Sequence, residues 1–479
     1  MNLTAEQIAA AIGAEIVASG EERSPTRATI DSRDCGSGDL FFGLRGERAD
    51  GGEFAPAAIA AGAWGAVVRS AIARSSFVPD SDTKDERTRG AWVFAVDDPL
   101  ASLQALAKAR RRELGAPVVG ITGSVGKTSV KDIARALLPG RVHANRENLN
   151  TEIGLPLTVL EAPDDTELLV LEMAMRGRGQ IAELAAIAEP QVGVITNVGP
   201  VHVELLGSVE AIAAAKAEIL DAVPADGTAI VPAEAGELEP HLDAAPRLLR
   251  FGPGGDVEAV EQRVADGVTE ALVATPAGRA RFHFPFTESH NLSNALAAIA
   301  AGLALGVPLE EMADRAANIG FSRFRGERLE LGEGIVLVND CYNANPVSMR
   351  AALDHLASIE GGRRIAVLGE MAELGPGAPA YHREVGAHAR DEGVDLLIGV
   401  GEPARDYQPD ELVADPGEAA ELLAAQLEPG DAILVKGSRS AGLEGVAELL
   451  QGQAAPGRGS GGQSQSDSSG PHGSRGGGA

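Results

Sequence analysis

A glycine-rich loop that ends in lysine and threonine is the part of this sequence best suited to chemistry. The loop spans residues 120–129. It begins at the end of an apolar run, residues 117–122, and a helical pattern follows it. Its backbone N–H groups can converge on anionic oxygens, and the positive end of the following helix adds to that attraction. The Lys127 ammonium can neutralise phosphate charge, and the Thr128 hydroxyl can ligate Mg²⁺. The residues predicted to hold phosphate are Gly123, Ser124, Val125, Gly126, Lys127, Thr128 and Ser129.

Three further side chains with suitable chemistry follow in the same part of the chain. Glu172 closes an apolar run, His202 comes shortly after another, and Lys216 lies in an alanine-rich helical pattern. Ligands of open α/β sheets bind beyond the carboxyl ends of the strands, so these groups are expected near the loop. A carboxylate and an imidazole there could hold a second Mg²⁺. Each residue also has an interpretation without a ligand: Glu172 as a strand-end surface acid, His202 as a structural histidine and Lys216 as a solvated helix lysine.

The elements that must position these groups alternate between strand and helix, which predicts parallel sheets with right-handed crossovers. The predicted fold class is α/β with three domains: a central P-loop-type, mostly parallel sheet, a C-terminal Rossmann-like sheet and a smaller N-terminal α/β domain. The predicted boundaries are 1–112, 113–318 and 319–452, followed by a disordered Gly/Ser-rich tail at 453–479.

The composition excludes several classes of protein. The chain has 479 residues, too many for one compact core, and its formal net charge of −28 argues against binding nucleic acid. No stretch approaches the ~20 apolar residues that cross a bilayer, and residues 1–12 lack the basic start of a signal peptide. The two distant cysteines, Cys35 and Cys341, suit a reducing compartment. We expect a cytoplasmic monomer that does not insert into a membrane.

Beyond the phosphate loop, several segments resemble motifs of the Mur ligase family in one collinear order over about residues 1–450. His202 and Lys216 lie in a segment similar to the family's His…Gly…Ala-Lys pattern. The other matching segments are 148–156 (Asn-Leu-Asn-Thr-Glu-Ile-Gly-Leu-Pro), 172–177 (Glu-Met-Ala-Met-Arg-Gly), 340–349 (Asp-Cys-Tyr-Asn-Ala-Asn-Pro-Val-Ser-Met), 369–375 (Gly-Glu-Met-Ala-Glu-Leu-Gly) and 436–439 (Lys-Gly-Ser-Arg).

The resemblance implies roles that the residues alone do not. It implies that Lys216 is carbamylated, so that with Thr128, Glu172 and His202 it holds two Mg²⁺ ions. It implies that Lys127, Glu172, His202 and Lys216 are catalytic. It places Asn291 and Asn294 beside adenine and lets Arg328 and Asp340 reach the nucleotide. It assigns substrate contacts to Ser32, Asp50, Asn343, Asn345, Lys436 and Arg439, with Ser32 and Asp50 in an N-terminal domain that binds a UDP-sugar.

The implied activity is an ATP-dependent ligation through an acyl phosphate, which adds D-alanyl-D-alanine to UDP-N-acetylmuramoyl-tripeptide in peptidoglycan synthesis. One alternative is a sister ligase that adds a different amino acid, although segment 340–349 favours the dipeptide. Another is a nucleotide-binding partner protein that has lost catalysis. The intact Lys127, Thr128, Glu172 and Lys216 speak against that second alternative.

Overall fold

The computed structural model describes residues 1–77, 90–146, 148–201, 203–243 and 245–454. His202 lies outside these ranges, and so does the predicted tail apart from residues 453 and 454. The described chain folds into three α/β units in sequence order, which confirms the predicted fold class. None of its helices combines the length and the apolar character that a bilayer-spanning segment needs.

The N-terminal unit is a five-stranded sheet in the order β1-β5-β4-β3-β2, parallel except for β1. Its strands are β1 (Glu15–Ala18), β2 (Arg27–Thr29), β3 (Asp39–Phe42), β4 (Gly65–Arg69) and β5 (Trp92–Val96). Its helices are α1 (Ala5–Ile12), α2 (Ala55–Ala60), α3 (Ser70–Phe77) and α4 (Pro99–Leu114).

The central unit has a parallel six-stranded sheet in the order β11-β10-β9-β6-β8-β7. Its strands are β6 (Val118–Thr122), β7 (Val142–Ala144), β8 (Leu168–Glu172), β9 (Val192–Ile195), β10 (Thr228–Pro232) and β11 (Leu248–Phe251). Its helices are α5 (Lys127–Leu137), α6 (Gly154–Glu161), α7 (Gln180–Ala188), α8 (Val203–Leu206), α9 (Val209–Asp221), α10 (Ser289–Ala304) and α11 (Leu309–Arg315). The phosphate loop follows β6, between β8 and β9, and therefore lies at the centre of the sheet.

A three-stranded antiparallel sheet, absent from the sequence prediction, is inserted before α10. It consists of β12 (Glu258–Ala265), β13 (Val268–Thr275) and β14 (Gly278–Phe284). Asp266 and Gly267 form its first hairpin turn, with φ of 52° and 77°. Two successive residues with positive φ are typical of the tight turns that join antiparallel strands.

The C-terminal unit is a six-stranded sheet in the order β15-β16-β20-β17-β18-β19, parallel except for β15. Its strands are β15 (Glu327–Gly332), β16 (Ile335–Asn339), β17 (Arg364–Leu368), β18 (Leu396–Val400), β19 (Glu411–Val413) and β20 (Ala432–Lys436). Its helices are α12 (Pro346–Ser358), α13 (Ala378–Asp391), α14 (Pro416–Gln426) and α15 (Glu444–Ala454).

Helix α4 anchors the N-terminal unit to the central unit through its arginines. The Arg110 side chain is buried and donates a hydrogen bond of 3.0 Å to the carbonyl of Ala162, at the end of α6. Arg111 donates to the carbonyls of Ala188 and Glu189, at the end of α7, over 2.8 and 2.9 Å. The last carbonyls of a helix have no partner within it, so these guanidinium groups satisfy acceptors that burial would otherwise leave unpaired.

Replacing Arg110 with alanine is therefore expected to lower the free energy of unfolding by about 2–3 kcal/mol, because a buried carbonyl loses its donor. Urea denaturation followed by circular dichroism measures this change. Arg112→Ala is the matched control: Arg112 is on the same helix, but it is exposed and its ion pair with Glu189 lies at the surface. We expect the control to cost less than about 1 kcal/mol. Equal losses in both variants would contradict the anchoring role.

Candidate active site

The phosphate loop owes its shape to two glycines. Gly123 and Gly126 have φ of 152° and 81°. A Cβ on Gly123 would lie 1.8 Å from Oγ1 of Thr196, and a Cβ on Gly126 would lie 2.4 Å from Oδ1 of Asn294. Only glycine combines this backbone conformation with so close an approach. The loop is held from below by Asn197, whose Oδ1 accepts the amides of Ser124 and Val125 at 3.0 and 2.9 Å.

Lys127 begins α5, and its side chain folds back over the loop. Its Nζ donates to the carbonyl oxygens of Gly123 at 2.8 Å and Ser124 at 3.5 Å. Burial lowers the pKa of Lys127, the nearby carboxylate of Glu172 raises it, and the positive charge of Arg325 lowers it. The hydrogen bonds to Gly123 and Ser124 hold the ammonium beside the loop, where it can reach an anion bound by the loop amides.

Thr128 and Glu172 form an oxygen-rich pair beside Lys127. The Thr128 hydroxyl donates to Oε2 of Glu172 at 2.9 Å, and Nδ2 of Asn150 donates to Oε1 of Glu172 at 2.8 Å. Asn145 fixes the strand end, because its Oδ1 accepts the Glu172 backbone amide at 2.6 Å. A hydroxyl and a carboxylate in contact are the hard oxygen donors that Mg²⁺ prefers, so these residues fit that ion.

Lys216 lies on α9 and is 2% exposed. Burial places the pKa of Lys216 well below its usual range, and the charge of Lys127 lowers it further. A depressed pKa increases the fraction of a lysine that is in the neutral, nucleophilic form, and the burial of Lys216 keeps its side chain away from solvent. The interpretation as a solvated helix lysine is therefore wrong for Lys216.

The C-terminal unit contributes an ion pair between a buried lysine and a partly buried aspartate to the site. Lys436 ends β20, and its Nζ donates to Oδ2 of Asp340 at 2.6 Å and to the carbonyl of Asn343 at 3.0 Å. Asn345 caps α12: its Oδ1 accepts the amide of Ser348 at 3.0 Å. Asp340, Asn343 and Asn345 are thus presented by the carboxyl end of β16 and the start of α12.

A cavity of about 360 Å³ brings the central and C-terminal contributions together. Most of the predicted site residues line it: Ser124, Val125, Gly126, Lys127, Thr128, Ser129, Glu172, Asn291, Asn294, Asp340, Asn343, Asn345 and Lys436. Gly123 and Lys216 do not line the cavity. Lys216 is nevertheless close enough to Lys127 for the positive charge of Lys127 to lower its pKa.

Arg325 is a cavity residue that the sequence reasoning missed. Its guanidinium donates to the Thr128 hydroxyl at 3.2 Å and lies 4.0 Å from the centre of the Tyr342 ring. It therefore carries a positive charge from the C-terminal unit to the predicted metal ligand. Arg328, the predicted nucleotide contact, does not line the cavity and pairs with Glu330 at 3.0 Å on β15. Side chains of β15 alternate between partly buried and exposed, and Arg328 lies on the exposed face of the strand.

The three remaining predicted substrate residues lie outside the cavity. Ser32 is half-buried in a turn of the N-terminal unit. Asp50 accepts the amide of Gly52 at 3.0 Å and pairs with Arg69 at 2.6 Å. Arg439 is mostly exposed and pairs with Glu444 at 3.1 Å. Their substrate roles stay predictions.

Comparison with known proteins identifies three adjacent family models in the chain. The Mur ligase family catalytic domain matches residues 26–111, the Mur ligase middle domain matches 121–302, and the Mur ligase glutamate ligase domain matches 324–439. Similar proteins carry the name UDP-N-acetylmuramoyl-tripeptide–D-alanyl-D-alanine ligase. The Synechocystis protein is 38% identical, covering 88% of this chain and 90% of its own. The Mycobacterium tuberculosis protein is 37% identical, covering 94% and 98%.

Solved structures agree with this similarity. MurF from Acinetobacter baumannii is 29% identical, with a TM-score of 0.84 over 94% of this chain and 99% of its own. MurF from Thermotoga maritima, solved in complex with ADP, is also 29% identical, with a TM-score of 0.78 over 89% and 97%. The likeness extends over all three units.

Proposed function

Because this chain belongs to the Mur ligase family, we propose that it joins D-alanyl-D-alanine to UDP-N-acetylmuramoyl-tripeptide with ATP as the second substrate. One observation carries the proposal: Lys127, the Thr128–Glu172 pair and the Lys436–Asp340 pair face one cavity between the central and C-terminal units. Such a cavity can hold a triphosphate against a carboxylate delivered from another unit. The similar proteins named above support the choice of substrates.

In the first step the terminal carboxylate of the tripeptide attacks the γ-phosphorus, and the bond to the β–γ bridging oxygen breaks. The products are an acyl phosphate and ADP. Both reactants are anionic, so catalysis consists mainly of positioning and charge stabilisation. Lys127 and Arg325 supply positive charge beside the loop, and the loop amides orient the phosphates.

In the second step the amine of D-alanyl-D-alanine attacks the acyl carbon, and the tetrahedral intermediate expels inorganic phosphate. One oxygen of the original carboxylate leaves with that phosphate. Asn343 and Lys436 line the cavity from the C-terminal unit, and we propose that they contact the substrate there. Packing of that unit over the loop also shields the acyl phosphate from water.

Thr128 and Glu172 would hold a Mg²⁺ ion, which supplies Lewis-acid stabilisation of phosphate charge when bound. Glu172, Lys216 and His202 are proposed to hold a second ion, with Lys216 as its carbamate. The low pKa of Lys216 supports carbamylation, because only the neutral amine can attack carbon dioxide. We also propose that the protein acts as a monomer in the cytoplasm, where both nucleotide substrates are made.

Arg325→Ala is expected to reduce kcat/KM for ATP by about a hundredfold, because a desolvated positive charge next to the transferring phosphate is lost. Arg328→Ala is the matched control. It removes an exposed arginine three residues further along the chain, on β15, and we expect a change of less than about threefold. A coupled assay of ADP release measures both. A larger loss of kcat/KM in Arg328→Ala than in Arg325→Ala would instead identify Arg328 as the nucleotide contact.

The relatives named above favour the dipeptide over the single amino acid that a sister ligase would add. The direct test is mass spectrometry of the product formed from UDP-N-acetylmuramoyl-tripeptide, ATP and D-alanyl-D-alanine. We expect a pentapeptide product that appears only when all three are present. Product with a single amino acid in place of the dipeptide, and none with the dipeptide, would overturn the proposed substrate.

A further inference from the structure

A polar chain, formed by His355, Glu288, Asn291 and Asn294, crosses from the C-terminal unit to the phosphate loop. Nε2 of His355, on α12, lies 3.5 Å from Oε1 of Glu288, which precedes α10 in the central unit. Oε2 of Glu288 accepts a hydrogen bond from Asn291 at 3.3 Å. Oδ1 of Asn291 accepts one from Asn294 at 3.2 Å.

The last member of the polar chain packs directly on the loop. Oδ1 of Asn294 lies so close to Gly126 that a Cβ there would come within 2.4 Å of it. The orientation of Asn294 is therefore coupled to the backbone that must receive the phosphates. A displacement at one end of the polar chain can reach the loop through three successive polar contacts.

His355 is placed to fix the other end. The side chains of His355 and Glu288 are only 8% and 11% exposed, and both line the cavity. His355 shares one face of α12 with other cavity residues, namely Val347, Ser348, Ala351 and Ala352. Glu288 meets the C-terminal unit a second time, because its Oε1 lies 3.5 Å from the position of a Cβ on Gly326. The carboxylate thus lies at the joint between the two units.

We propose that His355 is a positioning residue for the nucleotide: by holding Glu288 from the C-terminal unit, it orients Asn291 and Asn294 against the phosphate loop. The role rests on the proposed function, since it presumes that the cavity binds ATP. Nucleotide affinity then depends on how α12 is seated against α10. Without His355, the Glu288 carboxylate would keep only the contacts of its Oε2 with the Thr287 amide and with Asn291, so the orientation of the two asparagines would be less tightly fixed.

The test compares variants of the full chain by calorimetric titration with Mg²⁺ and ADP, and by steady-state kinetics. His355→Leu is expected to weaken ADP binding and raise KM for ATP by about five- to tenfold, as for one lost contact with a charged group. The value of kcat and the KM for D-alanyl-D-alanine are expected to stay within about twofold. His355→Gln keeps a donor near the Nε2 position and is expected to restore ADP binding to within about twofold of the unsubstituted protein.

A second histidine–carboxylate contact in the same unit provides the control. His388 on α13 lies 2.6 Å from Asp354, outside the cavity. His388→Leu removes the same atoms and is expected to leave ADP affinity unchanged. Glu288→Ala combined with His355→Leu is expected to weaken binding no more than Glu288→Ala alone, because the two residues act in series.

Four results would overturn the positioning role: unchanged ADP affinity in His355→Leu, equal losses in His355→Leu and His355→Gln, an equal loss in His388→Leu, or additive losses in the double variant. Each of these leaves the proposed function standing, because the unsubstituted protein still binds ADP and forms product. Failure of the unsubstituted protein to bind ADP would overturn the proposed function and the positioning role together.

Discussion

Lys127→Ala is expected to lower the rate of ADP formation at saturating substrates by about a thousandfold. The Lys127 ammonium lies within 2.8 Å of the Gly123 carbonyl at the mouth of the phosphate loop, where charge develops during phosphoryl transfer. Removing one preorganised donor from such a position costs about 10²–10³ in rate, and a full charge costs more. A spectrophotometric assay that couples ADP release to NADH oxidation measures the change.

Lys108→Ala is the control for the lost positive charge. Lys108 lies on α4, is partly exposed and is 3.7 Å from Glu189, far from the cavity lining. Its removal is expected to leave the rate within about twofold of the unsubstituted protein. A loss of less than tenfold in Lys127→Ala would mean that the loop does not hold the transferring phosphate.

Lys216→Ala is expected to lower the rate by a similar factor, about a thousandfold, but with a chemical signature of its own. If the working form of Lys216 is its carbamate, alanine leaves a space that a small carboxylate such as acetate can enter as a substitute anion. We therefore expect acetate to restore at least about tenfold of the lost rate, because the charge rather than the lysine itself is required. The same assay, run with and without acetate, measures this.

The Lys127→Ala variant controls for unspecific effects of acetate, because an added anion cannot replace a lost cation. Carbon-13 NMR of the unsubstituted protein with labelled bicarbonate provides the second measurement, and we expect one carbamate resonance that Lys216→Ala lacks. Full activity of Lys216→Ala would contradict the metal-site proposal. Loss of activity without acetate rescue and without a carbamate resonance would contradict carbamylation.

The parallel strands of the fold could be predicted closely, because continuous apolar runs fill both sheet faces. Such apolar runs lie within residues 335–339 and 396–400, which are the bounds of β16 and β18. The inserted antiparallel sheet was missed since β12 is largely exposed and carries no such run. Its Asp266-Gly267 turn was the available signal, because that dipeptide favours a two-residue hairpin.

The residues of the candidate site also include some that the sequence could predict and others that it could not. The loop and Glu172 could be predicted, because each comes at the carboxyl end of a strand, where open α/β sheets bind ligands. Asp340 was implied only by the family resemblance of segment 340–349. Arg325 could not be separated from Arg328, since the choice depends on where β15 starts and on how the C-terminal unit packs over Thr128. Residue spacing within one strand does not contain that information. The burial of Lys216 likewise depends on how α9 packs, which its alanine-rich sequence left open between core and solvent.

The transfer of an oxygen atom tests the central claim most directly. UDP-N-acetylmuramoyl-tripeptide labelled with oxygen-18 in its terminal carboxylate is allowed to react with ATP and D-alanyl-D-alanine, and the inorganic phosphate released is analysed by mass spectrometry. The acyl phosphate route predicts one oxygen-18 atom in each phosphate formed from fully labelled substrate. Phosphate that carries no label, released in step with product, would contradict activation of the carboxylate at this site.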